Sequence, residues 1–153
     1  MSEHRESAEA RRKKLQDEAA RIGVTEAYIN ELVDAFYTKI RAHTVLGPIF
    51  ASAIKDGDWT PHLATMKKFW SSVARSTGHY SGQPVPKHKA VRAIRPEHFT
   101  LWLDLFEQTL RETAPNPAAI PYFMERASRI GKSLQLALFW TPELAAPDLN
   151  PKK

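Results

Sequence analysis

The chain has 153 residues, 42% of them hydrophobic and 25% charged, with a formal net charge of +5. That length suits one domain with a packed core, and four Trp, seven Phe and four Tyr supply an aromatic interior that a disordered chain lacks. Cysteine is absent, which excludes disulfides, thiolate nucleophiles and cysteine-built zinc or iron–sulfur centres, so any bound metal must rely on histidine or carboxylate.

No apolar run approaches the ~20 residues of a membrane-spanning helix, and the charged start Met1 to Lys14 has no apolar core of a signal peptide. The expectation is a cytoplasmic protein without membrane insertion. Part of the positive charge sits in Arg11-Arg12-Lys13-Lys14 and in Lys152-Lys153. A surplus of this size speaks first for solubility, and nucleic acid is not the expected partner.

Residues 1–24 read as a polar, basic helical extension in which Leu15, Ala19 and Ile22 form a weak apolar stripe that Gly23 ends. Thr25 is a candidate N-cap for the next helix, whose Ile29, Leu32, Val33, Phe36 and Ile40 share one face with Tyr37 at its edge. Gly47-Pro48 interrupts the pattern, Ile49-Phe50 is a short apolar plug, and Lys55 to Asp58 is turn sequence. Thr60 before Pro61 predicts a capped helix start, followed by His62, Met66, Phe69, Trp70 and Val73 on one stripe.

The stretch Gly78 to His88 is rich in Gly and Pro and reads as a stiff, irregular arm ending on a histidine. Pro96 opens a helix with Phe99, Trp102, Leu103, Phe106 and Leu110 on one face. A last helix from about Pro121 to Phe139 carries Phe123, Ala127, Ile130, Leu134 and Leu138, and residues 141–153 form a Pro-rich tail. No segment alternates with period two for long enough to make a strand, so the class is all-α, with one domain over residues 25–140.

Several motifs in this order carry a resemblance: Phe36-Tyr37, Leu46-Gly47-Pro48-Ile49-Phe50, Trp59 to His62, Phe69-Trp70, Gly82-Gln83-Pro84 to His88, and Trp102-Leu103-Asp104-Leu105-Phe106. Together, from about Thr25 to Trp140, they resemble the truncated haemoglobins, specifically the group III branch. The resemblance implies a two-over-two helical sandwich around haem b, preceded here by an extra N-terminal helix. It also implies His88 as the proximal iron ligand and Tyr37, His62 and Trp102 as distal residues. Phe50 is implied to wedge against the haem, with Met66, Phe69, Trp70, Phe99 and Phe106 lining or backing its cavity. The long basic extension and the tail depart from the family pattern; the missing paired-glycine loops of groups I and II are a lack that group III shares.

The six histidines sort on that basis. His4 and His43 read as solvent-exposed and His79 as an ordinary loop residue. His98 rivals His88 for the iron, but its place in the first turn of a Pro-started helix points it toward a helix end. His62 has three readings: a ligand gate, which the resemblance favours, a possible sixth iron ligand, or a packed polar residue. Lys67, Lys68, Arg75, Lys87 and Lys89 are the cations near enough in sequence to meet haem propionates.

The function implied is binding of dioxygen and other diatomic ligands (NO, CO) at His-ligated iron. It extends to NO detoxification as an NO dioxygenase, sensing or peroxidase-like redox chemistry supplied by an unidentified reductase or electron donor. Enzymatic activity and oligomeric state are left open. The alternative is a small helical nucleic-acid-binding or protein-interaction module without haem. Such a module needs a helix with outward Arg, Lys, Asn or Gln, whereas the best helices here turn aromatics to one side.

Overall fold

A computed structural model of the chain describes residues 2–139; the tail expected over 141–153, and Trp140, lie outside the described residues. Seven α-helices make up the described chain: α1 (Ser2–Arg21), α2 (Glu26–Ala42), α3 (Leu46–Ala53), α4 (Thr60–Arg75), α5 (Pro84–Lys89), α6 (Pro96–Thr113) and α7 (Ala119–Phe139). A single 3-10 turn, Lys55–Gly57, separates α3 from α4. No strand occurs among the described residues.

The sandwich has two layers, α2 paired with α4 and α6 paired with α7, with α2 crossing α6 and α4 crossing α7. Its centre is aromatic. Trp70, Phe36, Phe106 and Phe123 are all under 2% exposed, and burying side chains of this size contributes about 1.5–3 kcal/mol each. Trp70 stacks on Phe106 with ring centres 4.9 Å apart, and Phe36 meets Phe106 edge-on at 5.0 Å.

Helix α2 starts as its sequence predicts, with Thr25 Oγ1 accepting the Tyr28 N–H at 3.1 Å. Ahead of it, Gly23 takes φ +82, and a Cβ there would fall 2.4 Å from Pro115 Cγ, so the α1–α2 turn is seated directly on the α6–α7 turn. Tyr28 adds a tie between the same regions, its hydroxyl 2.8 Å from that of Thr113.

Three local expectations are corrected. Thr60 does not cap α4: the chain is already helical there, and the Asp58 carboxylate accepts the Thr60 N–H at 3.1 Å instead. The arm is irregular only as far as Gln83, because Pro84 at the first helical position presets φ and starts α5 with no glycine left to stop it. Leu46 to Phe50 is not a broken plug but part of α3, whose first turn accommodates Pro48.

Helix α1 is also more than an exposed extension. It packs on α4, Ala19 is fully buried, and Gln16 Nε2 donates to the carbonyl of Arg75 at 2.9 Å.

Candidate functional site

Tyr37 of α2, Phe50 of α3 and His62 of α4 converge with Trp59, which immediately precedes α4. The Tyr37 ring meets His62 edge to face at 5.0 Å and Phe50 at 5.8 Å. Trp59 closes the cluster, 6.3 Å from His62 and 6.4 Å from Phe50, with the Arg41 guanidinium 5.1 Å over its outer face. Trp59 is 8% exposed and completes this aromatic cluster, a place that the sequence reading did not assign to it.

Two polar groups are held in this apolar setting. His62 Nε2 is buried without a hydrogen-bond partner among the described residues. Burial, and then the nearby charges of His88 and Lys87, push the imidazole below its ordinary value and hold it neutral. Tyr37 is 3% exposed, and burial alone pushes its phenol well above the usual range, so it keeps its proton.

Buried polar groups without partners are costly, about 1–3 kcal/mol apiece, and recur where a bound molecule completes them.

His88 stands in the last turn of α5, which rests on α7, and lies close enough to His62 to perturb its protonation. Its Nδ1 is 2.6 Å from the carbonyl of Pro84. A carbonyl only accepts, so Nδ1 carries a proton, and in the neutral ring that leaves Nε2 as the acceptor. His98 is used differently: its Nδ1 accepts the Arg95 N–H at 2.9 Å and closes the start of α6.

Among the remaining residues, Trp102 stacks on Phe106 with ring planes 3° apart and touches Phe36 at 5.8 Å, half-buried at the edge of the core. Met66 and Phe69 are half-buried on α4, whereas Trp70 and Phe106 are 1% exposed and back the site from within the core. Phe99 faces α7, edge-on to Phe139 at 6.3 Å.

The cations divide in two. Lys67 is held by Asp34 at 3.0 Å and Arg75 by Glu26 at 2.6 Å, while Lys68, Lys87 and Lys89 are exposed. His79 is an exposed residue of the loop between α4 and α5, and the side chain of His4 lies outside the described residues. His43 is not solvent-exposed: half-buried, it turns Nδ1 onto the Val45 and Leu46 N–H groups, both at 3.1 Å, and caps α3.

No group of three or more His, Asp or Glu able to hold a metal stands together among the described residues.

No family model matches the chain. A group 3 truncated haemoglobin of Campylobacter jejuni is 34% identical over 118 residues, which cover 76% of this chain and 92% of the relative. The crystal structure of a group III truncated haemoglobin from Campylobacter jejuni superposes with a TM-score of 0.70 at 34% identity, over 76% of this chain and 92% of that one. Both matches define the architecture as a truncated globin fold. The chain belongs to the group III truncated haemoglobins, a family that implies haem binding.

Proposed function

We propose that the chain binds haem b between α4 and α5, where His88 would hold the iron, and takes up diatomic ligands on the side of Tyr37 and His62. The observation that carries this reading is the pair of imidazoles: His88 with Nδ1 tied to Pro84 and Nε2 free, and His62 with a buried, unpartnered Nε2 within its electrostatic reach. When bound, the haem supplies an iron able to hold dioxygen, nitric oxide or carbon monoxide.

The protein's part follows from its side chains. Pro84 fixes the tautomer and ring orientation of His88, and short α5 keeps that ring on a rigid turn. Phe50, Trp59 and Phe69 exclude water, which strengthens every hydrogen bond made inside. Tyr37, protonated by burial, donates to a small polar ligand, and Trp102 offers an indole N–H from the α6 side. His62, neutral, would serve as the gate at the edge of the pocket. Lys68, Lys87 and Lys89 are the cations left to meet the propionates, Lys67 and Arg75 being engaged elsewhere.

A distal donor pair slows ligand release, which suits NO conversion, sensing or peroxidase-like turnover with an electron donor better than oxygen carriage. A cytoplasmic setting agrees with that chemistry, and no described helix is long and apolar enough to cross a membrane.

The visible spectrum of the purified protein tests the reading: a strong Soret band that His88→Ala abolishes or shifts is expected. A colourless protein that retards DNA in a salt-sensitive manner would replace it with the nucleic-acid module.

A further inference from the structure

Tyr80 lies in the loop between α4 and α5 and is held on three sides. Its N–H donates to Ser72 Oγ at 2.8 Å, and its ring stands edge-on to Phe69 at 5.1 Å with planes 89° apart. The far end of the ring covers Gly82, where a Cβ would fall 2.4 Å from the Tyr80 hydroxyl oxygen and 2.6 Å from Cζ. A larger residue at 82 therefore forces the ring or the loop backbone to shift. A second tie holds the start of the loop, with Ser71 and Thr77 hydroxyls 2.8 Å apart.

Gly82 lies two residues before Pro84, whose carbonyl orients His88 at 2.6 Å. A continuous chain of edge-to-face rings runs from Trp70 in the core through Phe69 at 5.5 Å to Tyr80 and on to the backbone that launches α5. Helix α5 itself packs on α7, and these rings together with the two loop ties join α4 to the start of α5.

We infer that Tyr80 is a positioning residue for His88: its ring is a spacer between Phe69 and Gly82 that fixes how far α5 stands from α4 and the direction in which His88 presents Nε2. The inference rests on the haem reading given above. The ring does this by bulk, so the hydroxyl is dispensable.

Four variants of the haem-loaded protein test it: Tyr80→Ala, Tyr80→Phe, Gly82→Ala and the Tyr80→Ala/Gly82→Ala double substitution. The readouts are the iron–histidine stretching band by resonance Raman and the rate of haem transfer to excess apomyoglobin. Tyr80→Ala is expected to shift the band and to speed haem loss about tenfold, the scale of a lost orienting contact around a metal ligand. Tyr80→Phe keeps the wild-type band and rate. Gly82→Ala reproduces Tyr80→Ala, and the double variant is no worse than either single one, because the two residues act through one contact.

An unchanged band and rate in Tyr80→Ala, a Tyr80→Phe variant as damaged as Tyr80→Ala, or additive losses in the double variant would each overturn the inference. Wild-type protein without a Soret band sinks the haem reading itself; wild-type protein with the band and an unaltered Tyr80→Ala sinks the spacer alone.

Discussion

Tyr37 and His62 meet with ring centres 5.0 Å apart and planes at 83°, and each holds a polar group in an apolar wall. One keeps its proton because burial raises its pKa, and the other stays neutral because burial lowers it. This wall therefore carries a hydroxyl donor beside an uncharged imidazole, a combination set chiefly by desolvation rather than by a salt bridge.

Tyr37→Phe separates binding from stability. The substitution is expected to speed oxygen dissociation about tenfold, the equivalent of one hydrogen bond of about 1.4 kcal/mol. Folding stability should stay within about 0.5 kcal/mol of wild type, because no protein hydrogen bond enters the balance at that hydroxyl. Stopped-flow oxygen release and urea melts of the same samples decide it.

The two histidines flanking the α5–α6 connection have opposite phenotypes. His88→Ala is expected to release the haem or alter its spectrum grossly. His98→Ala should keep the spectrum and cost about 1 kcal/mol, the scale of a lost helix cap, since its ring accepts the Arg95 N–H. Spectra paired with thermal melts distinguish them; haem loss in His98→Ala alone would exchange the two roles.

Acid should weaken the fold partly through His62. Its native value is lowered from 6.5, so between that native value and 6.5 the unfolded chain binds more protons than the native one. The neutral-ring contribution to stability is thus full above about pH 6.5, declines as pH falls toward the native value and stays lost below it. In His62→Leu the urea midpoint is expected to change less between about pH 7.5 and about pH 5 than it does in wild type. Parallel pH profiles for the two proteins would show that burial of this ring has no such effect.

Gly47→Ala should be costly for a residue far from any turn that needs positive φ. A Cβ there meets the carbonyl oxygens of Arg41 at 2.8 Å and Ile40 at 3.1 Å, both backbone, so α3 must back away from the end of α2. A loss of about 1–3 kcal/mol is expected from such overpacking, together with a displaced Phe50 and a perturbed Soret band. A denaturant melt and one spectrum check it.

The helices were legible in the sequence because stripes such as Ile29, Leu32, Val33, Phe36 and Ile40 repeat at helical spacing, and the structure buries them all. The family was legible because its motifs recur in order over most of the chain. Short-range backbone choices were not. Whether Thr60 or Asp58 serves the start of α4 depends on where the chain turns helical, and Leu46–Ala53 is a helix despite Gly47-Pro48 because the pair falls in its first turn. Likewise His43 looked exposed by its polar neighbours, whereas its ring is spent on the Val45 and Leu46 amides. Tyr80 carried no periodic signal at all, since of its partners Phe69 lies on α4 and Gly82 within the irregular loop itself.

The seating of α1 bears on how the protein should be handled. A truncation that starts the chain at Thr25 removes Ala19 and Val24, both fully buried, and leaves the carbonyl of Arg75 without the Gln16 amide. The flank of α4 would then present raw apolar surface to water, so the shortened chain should aggregate or melt early although Tyr37, Phe50, His62 and His88 are all retained.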